Sequence, residues 1–326
     1  MRGAMRAALL SNFGDLPEAA DVSPPERADG HALVRIGAAP INKLDLFIAS
    51  GNFYGASPEP PYVPGVEGVG TVVEADGLDE GTRVWFAFEH YDVLRGSMGE
   101  LCAIEEARTV ALDNEIDDVA AAGLGLTGVA AWMSLSHRAR VKPGEQVLVL
   151  GAAGAVGQIA LQAARILGAG RVIGASRSDE GRAIAEKLGA DAVVDTSGAD
   201  VDAIASRIES ACDRPLTLVI DPTWGPLAEA SVHALAPGGR LVNFGSSAGG
   251  LATLDSAVIR SKSLSVLGYT NLSLSFEEMR EAITSLHAYA AQGRVELLVE
   301  KVKLDDVSSA FERAGGSPHR KLVVVP

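Results

Sequence analysis

The sequence predicts an α/β protein in which a doubly wound parallel sheet is joined to a second, mostly antiparallel, barrel-like domain. Three observations carry that expectation. From about Ala121 to Ala257, short apolar runs alternate with amphipathic helical segments, the pattern of strands joined by crossover helices. Ahead of them, the first 120 residues are rich in Gly, Pro and short β-type runs broken by turn residues. One apolar run of the second region ends in GAAGAVG, a glycine turn placed to open a helix.

In the first region, HALVRIGAA and GVGTVVEA read as strands, with turns at Pro24-Pro25, Asp76-Gly77 and Glu80-Gly81. In the second, the strands are QVLVLGA, RVIGAS, DAVVDT, LTLVIDP and RLVNFG. Ser178 is placed to cap a helix whose first turn carries Asp179 and Glu180, where acidic groups meet the positive helix end, and Gly189 is placed to close it. The remaining chain holds SLSVLGY, a helix near Phe276 to Gln292 and the strand KLVVV. The chain end is expected to return to the first domain. That divides the protein into residues 1–120 with 258–326, and residues 121–257 between them.

Composition narrows the function. A chain of 326 residues is long enough for two domains, and 47% hydrophobic with 21% charged residues is an ordinary folded composition. A net charge of -14 lacks the positive field that nucleic acid or an anionic membrane recruits, so neither partner is expected. Cys102 and Cys212 are the only cysteines, too few for a disulfide framework or a CxxC zinc site. The N-terminal stretch does not resemble a secretory signal, and no uninterrupted apolar run nears the roughly 20 residues that span a bilayer. A reducing, cytoplasmic setting is expected.

The turn is the most informative segment. Ala152, Gly154 and Gly157 fall on the three positions of a Rossmann-type dinucleotide fingerprint, with Ala155 and Val156 opening the helix. Gly154 allows close approach of a pyrophosphate to the backbone, and Gly157 allows close packing of helix on strand. Ala152 departs from the usual glycine and is tolerable if its φ stays negative. The next strand ends in Ser176-Arg177-Ser178 where an acidic residue usually meets the adenosine ribose. Arginine suits a 2′-phosphate, so the expected cofactor is NADPH, with Arg182 as a second positive contact. The plainer readings are a strand-to-helix turn without ligand and two solvated arginines.

With this unit in place, PINKLDLFIASGNFYG, PPYVPGVEGVGTVVE, GLGLTGVAAW and VLVLGAAGAVG, in that order and spacing, resemble the medium-chain dehydrogenase/reductase superfamily. The resemblance is to its zinc-independent quinone oxidoreductase branch, the zeta-crystallin-like proteins. It implies a GroES-like barrel domain made from both chain ends, a Rossmann-type domain between, an active site in the cleft and a homodimer paired through the nucleotide domain. Where the zinc enzymes carry a ligand cysteine, this chain has Asn42; where they carry the histidine of GHE, it has Val66; and AGLGLTG holds no cysteine. Amide and valine side chains do not assemble a zinc shell, and no metal is expected.

The substrates implied are quinones and α,β-unsaturated carbonyls, which accept hydride by conjugation without a Lewis acid. The resemblance assigns Asn42 to the nicotinamide carboxamide or the substrate carbonyl, and Tyr54 to a hydrogen bond or proton for the forming enolate. A loop asparagine and an apolar cleft wall are the competing readings, and Phe53 competes with Tyr54 for the inward position. Thr127 is placed near the nicotinamide or at a helix start, and Glu67 is read as barrel support. Asn243, Phe244 and Gly245 end a parallel strand, where ligand crevices form. Tyr269 and Asn271 resemble the loop over the nicotinamide ribose, and Lys321 reads as a surface charge. Three alternatives stand beside this: an enoyl-thioester reductase, an NADPH-binding protein without significant turnover, and a hydrolase built on Ser247 of GSSAG. The last is weak because GSSAG is followed by glycines instead of a helix.

Overall fold

The structure, a computed structural model, describes residues 3–53, 57–89, 94–112, 116–198, 200–316 and 318–326. In chain order it forms β1 (Met5–Leu9), β2 (Glu18–Val22), β3 (His31–Pro40), α1 (Lys43–Ala49), β4 (Glu67–Glu74), β5 (Arg83–Ala87), β6 (Leu101–Glu105), β7 (Thr109–Ala111) and α2 (Asp118–Met133). There follow β8 (Gln146–Val149), α3 (Ala155–Ile166), β9 (Arg171–Ser176), α4 (Asp179–Lys187), β10 (Ala192–Asp195), α5 (Val201–Ala211), β11 (Leu216–Asp221), α6 (Pro226–Ala234), β12 (Arg240–Asn243), α7 (Ser256–Ser261), β13 (Ser265–Gly268) and α8 (Phe276–Ala291). The last elements are β14 (Val299–Lys303), α9 (Val307–Gly315) and β15 (Lys321–Val325).

Two compact units share these elements: residues 1–126 with 297–326, and residues 127–296. The sequence pattern assigns residues 258–296 to the first domain. In the structure they lie in the second unit, because β13 adds to β12 as the last strand of the parallel sheet.

The first unit is built on a sheet in the order β14-β15-β3-β4-β5-β7, with β6 also pairing β3 and a separate β1-β2 pair. Its strand pairings are antiparallel except that of β14 with β15. Val34 of β3, Val69 of β4 and Val84, Trp85 and Phe86 of β5 are fully buried. β15 lies inside the sheet, between β14 and β3, which explains why KLVVV is apolar on both of its faces.

The second unit is a six-stranded parallel sheet in the order β10-β9-β8-β11-β12-β13, so the strand order reverses between β8 and β11. Its core gathers Leu148, Leu150, Ile173, Val194, Ile204, Ile208, Val219 and Leu241, each at most 2% exposed. Burial of such side chains contributes about 1.5–3 kcal/mol apiece. Helix starts follow from local chemistry: Ser178 accepts from the Gly181 amide, Asp200 from Ala203, and Ser275 with Glu278 closes a capping box on α8. Gly189 follows α4 with φ +95°, a conformation that closes a helix at little steric cost for glycine.

Helix α2 bends at Gly125 (φ −42°, ψ −126°) and runs on as a π-helical turn over Ser134–Ala139. Together the stretch from Asp118 to Ala139 is long and apolar enough to cross a bilayer by length and composition, a helix that the sequence pattern does not single out. Its most apolar 18 residues are 78% buried, so its apolarity belongs to core packing.

Candidate functional site

In the second unit the glycine turn follows β8 directly. Gly151 takes the left-handed conformation (φ +58°), whereas Ala152 does not, which is the condition under which a methyl is tolerated there. Ala152 is fully buried and its amide donates to the Ala175 carbonyl at 2.9 Å, tying the turn to the end of β9. A Cβ on Gly157 would lie 2.3 Å from the Gly151 carbonyl oxygen, so the close packing of α3 on the turn requires glycine. Gly154 is exposed, and a Cβ there would meet only that same oxygen, at 3.3 Å. Gly154 is the N-cap of α3 and brings no side chain to its first amides, which Ala155 and Val156 begin. An anion with a bulky linkage fits this open, electropositive helix start.

At the end of β9, Ser176 is buried, Arg177 is exposed, and Ser178 is spent as the cap of α4. Arg177 makes no ion pair among the described residues. Arg182 behaves differently from its expected role as a second phosphate contact. Its guanidinium pairs with Asp179 and with Asp195 at 3.0 Å and donates to the Ser176 carbonyl at 3.3 Å. Asp195 also pairs with Arg207 at 3.6 Å. The amide and hydroxyl of Ser197, with help from both arginines, hold the Asp195 carboxyl below its ordinary range. Arg182 is thus neutralised by carboxylates.

The carboxyl ends of β11, β12 and β13 lie along the same edge of the sheet as the glycine turn. Here the structure brings Asn243, Phe244, Gly245, Tyr269 and Asn271 together. Asn243 donates from Nδ2 to the Gly245 carbonyl at 2.7 Å, and the Tyr269 amide donates to the Asn243 carbonyl at 2.9 Å. Phe244 and Tyr269 meet edge to face with centroids 6.2 Å apart, and Tyr269 donates its hydroxyl to Asn271 Oδ1 at 2.8 Å. Sequence reasoning missed the buried group beneath them. Asp221 accepts from the amides of Thr223 and Trp224, each at 2.8 Å, and from the Thr223 hydroxyl at 2.7 Å. This closes a turn with Trp224 in left-handed backbone (φ +58°), and burial raises the Asp221 carboxyl. Thr127 is buried in the first turn of the helical segment that begins after the Gly125 break, the helix-start position the sequence allows for. Ser247 is exposed and followed by a helix only at Ser256, so it lacks the geometry of a nucleophile elbow.

In the first unit Asn42 is 7% exposed and stands at the centre of a buried polar cluster. Its Nδ2 donates to Glu67 Oε1 at 2.9 Å, Lys321 Nζ donates to its Oδ1 at 2.6 Å, and its backbone amide donates to Asp45 Oδ2 at 2.7 Å. Asp45 Oδ1 accepts the Val66 amide at 3.0 Å. Glu67 Oε2 accepts from Trp85 Nε1 at 2.9 Å and from the Leu126 amide at 2.7 Å. Burial pushes the Asp45 and Glu67 carboxyls up to about 6 and the Lys321 ammonium down to about 8. The expectation that Lys321 is a surface charge is corrected: it is 5% exposed, because β15 is an inner strand. Glu67 supports the fold as expected, but through three hydrogen bonds that make it the hub of the cluster. Tyr54 lies outside the described residues. Phe53 packs edge to face on Phe47 at 5.9 Å.

These donors do not fit a zinc ion. Val66 offers no ligand atom, the Asn42 oxygen is engaged by an ammonium, and a buried ammonium repels a dication.

The chain resembles known proteins along most of its length. Residues 155–288 match the family described as zinc-binding dehydrogenase, and residues 28–142 match the alcohol dehydrogenase GroES-like domain. Human quinone oxidoreductase is 28% identical over 318 residues, which cover 94% of this chain and 93% of that protein. A phenolphthiocerol/phthiocerol polyketide synthase polypeptide of Mycobacterium tuberculosis is 30% identical over 304 residues; the match covers 90% of this chain but spans only 13% of that much longer protein. Among solved structures, Escherichia coli quinone oxidoreductase complexed with NADPH superposes with a TM-score of 0.83 at 26% identity, covering 98% of this chain and 100% of that one.

Proposed function

The chain belongs to the medium-chain dehydrogenase/reductase family, in its zinc-independent quinone oxidoreductase branch, and we propose that it reduces a quinone or an α,β-unsaturated carbonyl with NADPH. The observation that carries this reading is the donor set around Asn42: an amide held between an ammonium and a carboxylate stands where the zinc enzymes hold a metal ligand. A site so built favours an acceptor that is electrophilic through its own conjugation. The Escherichia coli relative that holds NADPH supports the cofactor.

In this reading the second unit takes up the cofactor. The open turn at Gly154 and the amides of Ala155 and Val156 receive the pyrophosphate, with Ala152 and Gly157 shaping the turn, and Arg177 beside Ser176 receives the 2′-phosphate. Asn243, Phe244, Gly245, Tyr269 and Asn271 line the carboxyl edge for the nicotinamide end, with Thr127 as a further contact. When bound, the cofactor supplies the hydride. Asn42 donates a hydrogen bond to the acceptor carbonyl or the carboxamide, and Tyr54 delivers a proton to the oxygen on which charge develops. Burial of Asn42 excludes water from that hydrogen bond and strengthens it.

The match to a segment of a polyketide synthase favours a second reading, reduction of an enoyl thioester. We further propose a cytoplasmic homodimer paired through β13, whose outer edge is unpaired among the described residues and whose Val266 is 38% exposed. The test is NADPH consumption by the purified, metal-free protein against quinones, alkyl enones and an enoyl-CoA, with NADH in parallel and the oligomer followed by sedimentation. Turnover of quinone or enone with preference for NADPH is expected. Turnover restricted to the enoyl-CoA shifts the substrate class. Tight NADPH binding without any turnover overturns the enzyme reading, and a monomer overturns the dimer.

A further inference from the structure

An asparagine amide has two ends of nearly equal shape, and only its hydrogen-bond partners decide which way round it sits. At Asn42 that decision is forced. An ammonium only donates and an ionised carboxylate only accepts, so Lys321 at 2.6 Å selects Oδ1 and Glu67 at 2.9 Å selects Nδ2. Both partners are themselves fixed. Glu67 is fully buried and held by Trp85 and the Leu126 amide, and Lys321 is the first residue of β15 inside the sheet. Asp45 ties Asn42 as well through the capping box of α1, its carboxylate taking the Asn42 backbone amide and its own backbone amide meeting the Asn42 side chain, and it also holds the Val66 amide.

The charges make the arrangement more than packing. Lys321 carries one positive charge among two buried carboxylates, Asp45 and Glu67, and the Lys43 charge opposes it. Burying a lysine to this depth is costly unless partners are in place, and an apolar side chain in β15 would avoid that cost. The position therefore calls for a cation.

We propose that Lys321 is a positioning residue that serves as the internal cation of this site, where the zinc-containing relatives hold a metal, and that its ammonium fixes the orientation in which Asn42 presents its amide. The inference rests on the proposed function for its kinetic consequence, but the orientation of Asn42 is measurable without turnover.

The experiment compares wild type with Lys321→Met, Lys321→Arg, Asn42→Ala and the Lys321→Met/Asn42→Ala pair. Readouts are NADPH affinity, kcat, and the side-chain amide signals of Asn42 in 15N-labelled protein, assigned by their loss in Asn42→Ala. Lys321→Met is expected to leave NADPH affinity within about twofold, to lower kcat roughly tenfold or more, and to move the Asn42 amide signals, with Lys321→Arg restoring part of both. Adding Asn42→Ala to Lys321→Met is expected to cost little more, since both remove one interaction. An unmoved Asn42 signal, or kinetic losses that add, overturns the proposal. A structural lysine alone would lower thermal stability and leave both readouts in place. Should Lys321→Met fail to fold, Lys321→Met/Glu67→Gln preserves the net charge of the cluster and is read against Glu67→Gln alone, because that second change by itself alters what holds Nδ2. If wild type reduces no acceptor, the proposed function fails while the amide signals still decide the role of Lys321.

Discussion

Arg177 and Arg182 are near neighbours in sequence and differ sharply in electrostatic setting. Arg182 is enclosed by Asp179 and Asp195 and is neutral in effect, whereas Arg177 is exposed at the end of β9 and makes no ion pair among the described residues. Replacing Arg177 by Ala is therefore expected to weaken NADPH on the order of tenfold or more and NADH by less than about twofold, the scale of one charge-assisted contact. Parallel titrations of the two cofactors check this, and equal losses for both would remove the 2′-phosphate assignment. Substituting Arg182 belongs to a different class of change, because it strands Asp195 beside Arg207 and acts on α4 and β10 before it acts on any ligand.

Among the elements, α2 shows how a bend serves a site. A Cβ at Gly125 would fall 1.8 Å from Glu67 Oε2, so only glycine lets the helix backbone approach closely enough for Leu126 to donate its amide to that carboxylate. Gly125→Ala is expected to displace Glu67 from both Leu126 and Trp85 and to cost on the order of 2 kcal/mol, the value of hydrogen bonds to a buried charged group. Chemical denaturation followed by tryptophan fluorescence measures the loss; unchanged stability and emission would show that the helix accommodates the methyl elsewhere. Much of this level was legible in the sequence. The parallel strands, the capping of α4 by Ser178 and the helix from Phe276 follow from local periodicity and caps, which act over a few residues. The bend at Gly125, the turn on Asp221 and the depth of Lys321 were not legible, because each depends on a partner that the local pattern does not reveal. Lys321 differs from a surface lysine only through the strands that flank β15, and a run of five residues does not say whether its strand is inner or edge.

At the scale of the whole molecule, the two units differ in how the chain supplies them. Residues 127–296 form the parallel sheet from one continuous stretch, while the first unit needs residues on both sides of it. The inner place of β15, between β14 and β3, turns this into a matter of timing. During synthesis β3 meets β4 and β6 early, but its C-terminal end at Ala39 and Pro40 finds β15 only after the entire parallel sheet has been made. Until then that end of β3 is open, and Asn42 and Glu67 sit without their cation. The second unit is expected to fold first, and in refolding of the full chain its strands should gain hydrogen-exchange protection before β3 and β15 do. Simultaneous protection of both units would argue for a single cooperative step. The final strand thus acts as a clasp, closing an early sheet and delivering its charge in one late event.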